Sequence, residues 1–261
     1  MMNKTNFRTY SLLIIGVCIL FASSCKKAND NEPALNSPNS PNNPTNGKTT
    51  AVFNSSVTYS TMTDQDGNIY KTVTIGTQTW IAENLRTTKY NDGTAISNVI
   101  GATEWANLKT GAYCNYNNTT NTDNIATYGR LYNWYAVNTG KLAPKGWHVP
   151  TDAEWTQLTD YLGETGVVGG KLKETGTSLW SSPNTKATNE SGFTALPGGW
   201  RGIEGSYCLV GIQASWWSST ELQTCTDCVW DRSMFYDLPI VSRNGNSGKK
   251  MAGFSVRCVK D

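Results

Sequence analysis

An α+β fold is what this sequence predicts. Helical signals gather between residues 104 and 174, strand-and-turn text follows Gly192, and nothing alternates as regular βαβ units. A glycine-rich phosphate loop and an internal repeat are both missing from the sequence. The organisation predicted along the 261 residues is a leader (1–24), a tether (25–56) and one globular domain (57–261).

The leader has a positive start, Lys4 and Arg8, then an apolar run over 12–22 that is too short to span a bilayer. Ala22-Ser23-Ser24-Cys25 follows. This order resembles a bacterial lipoprotein signal, which implies cleavage before Cys25 and lipidation of its thiol. Acyl chains there would hold a soluble domain on a membrane. Asp30 and Glu32 faintly resemble the surface-export signal of some Bacteroidetes lipoproteins. The expected location is the outer membrane, on its cell-surface or periplasmic face.

Residues 25–56 show no hydrophobic periodicity, and Pro33, Pro38, Pro41 and Pro44 sit among Asn, Ser and Thr. Such a stretch buries too little apolar surface to offset its ordering entropy, so it reads as a disordered tether.

Charge narrows the partner class. The whole chain has 22 Lys+Arg and 20 Asp+Glu, and Lys4 and Arg8 leave with the leader, so the mature chain is neutral. Nucleic acid needs a basic surplus and is not an expected partner. Charged residues are only 16% of the chain. His148 is the one histidine, which rules out a multi-histidine metal centre and any two-histidine mechanism.

Within the domain, Asp66-Gly67 between strand-like runs at 57–63 and 69–75 reads as a hairpin turn. Asp64, Asp66 and Asn68 imitate the start of a calcium loop, but its twelfth position is Ile75, so the hairpin reading is preferred. Thr151-Asp-Ala-Glu154 is a capping box that opens a helix with Trp155, Leu158 and Leu162 on one face and Gly163 as its stop. A second helix is expected over 129–137, with short pieces at 104–108 and 168–174. Strands are expected at 193–196, 207–210, 216–220, 229–236 and 254–259.

Eight blocks then stand in order: Gly76-Thr-Gln-Thr-Trp80-Ile-Ala-Glu-Asn-Leu85, Tyr90-Asn-Asp-Gly93, Gly111-Ala-Tyr-Cys114, Tyr128-Gly-Arg-Leu-Tyr-Asn-Trp-Tyr135, Gly146-Trp-His-Val-Pro-Thr-Asp-Ala-Glu-Trp155, Phe193-Thr-Ala-Leu-Pro-Gly-Gly199, Trp216-Trp-Ser-Ser-Thr220 and Gly253-Phe-Ser-Val-Arg-Cys258. Over about residues 62–261 the chain resembles the Fibrobacter succinogenes major paralogous domain family of bacterial surface and secreted proteins. More distantly, the 146–155 block with the C-terminal Gly-Phe-x-x-Arg-like run resembles the formylglycine-generating-enzyme group. That likeness implies a C-type-lectin-like fold of short helices on a small twisted antiparallel sheet with much loop. Enzymes of that group use a cysteine pair or iron held by histidines, and a lone His148 does not fit the iron version.

Of the seven cysteines, Cys18 leaves with the leader and Cys25 takes the lipid. Cys114 and Cys258 both lie in the resemblance blocks and are the expected disulfide. Cys225-Thr-Asp-Cys228 precedes a strand-like run, so no helix dipole activates it and a structural role is expected. Cys208 paired with Cys225 or Cys228 is preferred over a Cys225–Cys228 bridge. His148 reads as packed and hydrogen-bonded, and Asp152 and Glu154 as complements to a helix dipole. The tryptophans of the blocks read as core.

The expected function is non-catalytic binding of a glycan or a protein ligand, with no metal or cofactor. An enzyme of the formylglycine-generating kind and a structural envelope component are the alternatives. The candidate contacts are Tyr207, Trp230, Arg232, Arg243 and Asn244, which mix aromatic surface with forked and amide hydrogen bonding. Strand alternation places Trp230, Arg232 and Met234 on one face, and that face is expected to meet solvent.

Overall fold

The computed structural model describes residues 43–163 and 166–261. The leader, Cys25 and residues 25–42 of the expected tether lie outside the described residues. Among those described, no helix is long and apolar enough to cross a membrane.

In chain order the elements begin with strands Ser60–Thr63 (β1), Ile69–Ile75 (β2), Gln78–Ile81 (β3) and Ser97–Asn98 (β4). Helix Ala102–Ala106 (α1), strand Ala112–Cys114 (β5), helix Thr122–Tyr128 (α2), strand Leu131–Tyr132 (β6) and helix Trp134–Val137 (α3) follow. Next come strand Trp147–His148 (β7) and helices Asp152–Leu162 (α4) and Val168–Leu172 (α5). Strands Gly198–Arg201 (β8), Tyr207–Val210 (β9), Gln213–Glu221 (β10), Cys228–Phe235 (β11), Ser242–Lys249 (β12) and Val259–Lys260 (β13) complete the order. The class is α+β, with few short helices and mostly antiparallel sheets.

Among the described residues three sheets form, ordered β1-β2-β3-β13-β7, β12-β11-β10-β8-β9 and β4-β5-β6. The first sheet joins both ends of the domain, because Val259 of β13 pairs with Trp80 on one side and His148 on the other. The Asp64–Asn68 turn closes the β1–β2 hairpin. Gly67 takes φ +78°, and the Asp64 carboxylate accepts from the Asp66 and Asn68 amides, Asn68 Nδ2 and the Tyr70 hydroxyl. Those donors occupy the oxygens that a calcium loop would offer.

Strand β10 lies between two cores. Successive side chains leave a strand on opposite faces, and Trp216 and Trp217 do so here. Trp216 joins Trp80, Trp155 and Phe193, and Trp217 lies 4.3 Å from Phe254, centroid to centroid. A third cluster holds Trp105, Cys114, Leu131 and Tyr207. Of the tryptophans in the blocks, Trp80, Trp134, Trp155, Trp216 and Trp217 are fully buried, while Trp147, and Trp200 just after a block, are partly buried.

Between these cores runs irregular chain whose carbonyls need donors. Buried arginines supply them, since a guanidinium carries five N–H groups in a fixed fork. Arg201, between Trp105 and Tyr207, donates to the carbonyls of Val99, Ile100, Gly101 and Gly205. Arg257 donates to Asn84 Oδ1 and to the carbonyls of Ile81, Phe193 and Thr194. Arg86 ties Thr45, Glu83 and Ile69 together over the Tyr70 ring.

Several expectations need correction. Residues 43–56, expected in the tether, lie on the domain. Thr45 Oγ1 bonds Asn68 Oδ1, Asn46 Oδ1 accepts from the Ile69 amide, the Thr50 amide donates to Thr127 Oγ1, and the Val52 amide donates to Glu174 Oε1. Polar side chains and backbone groups dock this arm, so hydrophobic periodicity gave no sign of it. The helix expected over 129–137 is present only as α3; Gly129 caps α2 at φ +73° and residues 131–132 pair as β6. Strand text expected at 193–196 is instead buried loop, with the strand beginning at Gly198.

Cys114 and Cys258 are not joined. Each is a fully buried free thiol in a different cluster, Cys114 against Trp105 and Tyr207, Cys258 among Ile81, Leu85 and Val256. They behave as small core hydrophobes. The Cys225–Cys228 bridge forms, where a pairing with Cys208 was preferred; the turn of the β10–β11 hairpin brings its two Cα atoms to 5.3 Å.

Candidate functional site

The helix α4 start and the β11–β12 hairpin meet around one carboxylate. The α4 capping box is present as the sequence implies: Thr151 Oγ1 accepts from the Glu154 amide, and the Thr151 amide donates to Glu154 Oε2 at 2.8 Å. This fixes Asp152 in the first helical turn, with its amide donating to Thr220 Oγ1 of β10. Its side chain then reaches both Arg232 and Arg243, which lie on neighbouring strands and pair directly in register.

Arg232 Nη1 stands 2.8 Å from Asp152 Oδ1, and Arg243 Nη2 2.7 Å from Asp152 Oδ2. Arg243 Nε also donates to the same carboxylate. Burial would raise the Asp152 pKa; the hydrogen bonds from Arg243 and Arg232 outweigh it and hold the carboxyl below its ordinary value. Arg243 is raised in turn, chiefly through its hydrogen bond to Asp152. Burial lowers Arg232 against the pull of Asp152.

The five predicted contact residues fall into different places. Arg232 is buried, with Nη2 donating to the Asp152 carbonyl, so it is a structural ion-pair partner and not a solvent-facing contact. Met234 is also buried. Trp230 shares a face with Arg232, since Arg243 pairs with Arg232 and lies over the Trp230 ring, but only its end is partly exposed: α4 covers Arg232 and Met234 packs in the core. A register shift lies between Val229 and Asp231: Val229 faces Gly248, whereas Asp231 faces Asn244. The extra β12 residues let Trp230 lie over Gly245, where an added Cβ would sit 3.1 Å from the indole ring. Tyr207 is remote and buried in the third cluster, where its hydroxyl donates to Asn118 Oδ1 at 2.6 Å. Asn244 spends its amide on Asp231 Oδ2 and Ser233 Oγ.

What reaches solvent is therefore Arg243 on Trp230. The guanidinium carbon stands 3.6 Å from the indole centroid, and the Arg243 side chain is 50% exposed. Its Nε and Nη2 are held by Asp152, and its Nη1 makes no hydrogen bond to a described residue. Chemically this is a flat, rigid platform with a fixed positive edge and free donors. The sequence named Trp230 and Arg243 but missed Asp152 as their anchor, because its 91-residue separation from Arg243 leaves no local pattern.

A second polar cluster surrounds the lone histidine. His148 Nε2 is 2.7 Å from Glu154 Oε1, and Nδ1 is 2.7 Å from Asp261 Oδ1. Burial would lower its pKa, but its hydrogen bonds to Asp261 and Glu154 outweigh that and raise the imidazole. Both ring nitrogens are spent on carboxylates, as the hydrogen-bonded reading expects, while the side chain itself is partly exposed rather than packed away. Among the described residues, no group of three or more His, Cys, Asp or Glu side chains is placed to hold a metal.

Residues 73–260 match the family model of the Fibrobacter succinogenes major domain. No curated protein and no solved structure matches the chain. The family match spans most of the sequence, with Asp152, Trp230, Arg232 and Arg243 inside it, and the chain belongs to the Fibrobacter succinogenes major domain family.

Proposed function

We propose that this is a non-catalytic binding domain of the cell envelope, and that its ligand is a glycan held on the Arg243–Trp230 platform. The observation that carries the reading is the contact itself: a half-exposed guanidinium over an indole, held there by Asp152. A saccharide ring offers an apolar face to such a surface, and its hydroxyls accept from the unspent Nη1 donors. Locking the guanidinium beforehand lowers the ordering cost of binding.

In this reading the domain is C-type-lectin-like, which is supported by short helices around curled sheets and by β13 bringing the two chain ends together. A lipid on Cys25 holds it at the outer membrane. Only residues 26–42 then separate the lipid from the docked arm, so the domain stands closer to the bilayer than a tether reaching residue 56 allows. A glycan array probed with the protein tests the function, and a flat array response would overturn it. Cys25→Ala tests the anchor: the variant should leave the membrane fraction, and one that stays there would contradict lipidation.

A further inference from the structure

The connection between β10 and β11 carries a second kind of chemistry. Its residues Gln223, Thr224, Thr226 and Asp227 are exposed, and the bridge between Cys225 and Cys228 sits among them. The two sulfur atoms differ in access. Cys225 belongs to a partly exposed residue, whereas Cys228, already in β11, is 2% exposed. The other described cysteines, Cys114, Cys208 and Cys258, are all buried. An incoming nucleophile therefore meets one sulfur first.

The loop is held by more than its bridge. The Leu222 amide donates to the Cys228 carbonyl, the Cys225 amide to the Leu222 carbonyl, and the Lys250 amide to the Asp227 carbonyl. A bridge spanning so few residues also removes little entropy from the unfolded chain. Opening it leaves the hairpin's own hydrogen bonds in place. Lys249 lies directly across from Cys228 in the ladder, where its cation favours a thiolate on that sulfur; the exposed Asp227 next to it opposes in part.

We propose that Cys225–Cys228 is a thiol-exchange site that reacts reversibly with small thiols outside the cytoplasm. In the forward direction a thiolate attacks Cys225 Sγ. A mixed disulfide forms, the Cys225–Cys228 bond breaks, and its electron pair leaves on Cys228 Sγ, which solvent protonates. A second thiolate attacks the external sulfur of the mixed disulfide. This releases the oxidised small disulfide and leaves Cys225 as a thiol, so two thiols are oxidised while the protein bridge is reduced. The site adjoins the Arg243–Trp230 platform, since Leu222 and Trp230 both lie against Gly245, but the proposal does not rest on the glycan reading.

The test is native-state exchange on the full chain with glutathione as the probe, quenched in acid and read by peptide mapping. Millimolar reduced glutathione should open the Cys225–Cys228 bridge in folded protein, while Cys114 and Cys258 become alkylatable only after denaturation. With oxidised glutathione, Cys228→Ser should take up one glutathionyl group at Cys225, at least about tenfold faster than Cys225→Ser takes one up at Cys228. A bridge that resists reduced glutathione until the protein unfolds would overturn the proposal. So would equal uptake by the two variants, provided both melt as the parent does. The measurement on the parent protein requires no variant to fold.

Discussion

Arg257 donates its Nε–H to Asn84 Oδ1 at 2.7 Å, deep in the fold and with neither residue in a regular element. The same Asn84 oxygen accepts from Trp216 Nε1 at 2.9 Å, and Asn84 Nδ2 donates to the Tyr128 carbonyl. One amide thus joins the C-terminal segment, the central strand β10 and the end of α2. Burial brings the Arg257 guanidinium down to about 9, and its remaining donors are absorbed by carbonyls of Ile81, Phe193 and Thr194.

Removing that fork should be among the most damaging single changes in the protein. Arg257→Ala leaves several buried acceptors unpaired, each worth about 1–3 kcal/mol, and is expected to cost at least about 4 kcal/mol. Arg257→Lys should recover little, because an ammonium lacks the fork. Urea unfolding of both variants checks this, and a loss under about 1 kcal/mol would show that the loops hold without the arginine.

The arm at residues 43–56 should behave as part of the domain. A chain starting at residue 57 loses the Thr45, Asn46, Thr50 and Val52 bonds and leaves Glu174 buried without its Val52 donor. Its melting temperature should fall below that of a chain starting at residue 43. Equal melting temperatures would return the arm to the role of a tether.

His148 sets a pH dependence of stability near neutrality. Its folded pKa is raised above the ordinary value of 6.5, so the folded form holds its proton more tightly. The stabilisation is complete below the unfolded pKa and is lost as pH rises through the folded one. Glu154, held below its ordinary value of 4.5 despite burial by Thr151 and His148, gives the opposite limb: stability present above the unfolded pKa and lost as pH falls through the folded one. Imidazole resonances followed by NMR should titrate above 6.5, and His148→Ala should flatten the stability curve on the alkaline side. A titration below 6.5 would contradict the double carboxylate clamp.

Lys173 gives a separate alkaline signature. Burial brings its ammonium down to about 8, with the carbonyls of Phe235, Tyr236 and Leu238 as its acceptors. Between that value and the ordinary 10.5 the unfolded chain binds more protons, so this residue's contribution makes stability rise with pH there. Lys173→Met should remove that slope when unfolding is compared across the interval. An unchanged slope would assign the dependence elsewhere.

How much of this was legible in the sequence follows from the range of each interaction. The α4 capping box, the β1–β2 hairpin and β9 rest on neighbours within a few residues, and all appear where the sequence places them. The core tryptophans were legible as residue types. The arm, the free thiols of Cys114 and Cys258 and the burial of Arg232 were not. Each depends on partners far along the chain: Val52 on Glu174, and Arg232 on Asp152. Trp230 and Arg232 keep the face that alternation gives them, but the cover of that face at Arg232 by Asp152 and Thr156 is a tertiary contact that alternation does not announce.

The binding platform is tested most directly by probing one glycan array with the parent protein, Trp230→Ala and Arg243→Ala side by side. Both side chains are partly exposed, so each variant should keep its fold and melt within a few degrees of the parent. The account predicts glycan signals on the parent that fall at least about tenfold with either variant, the loss of roughly 1.4 kcal/mol or more. Signals that survive both substitutions unchanged would place recognition elsewhere and contradict the account.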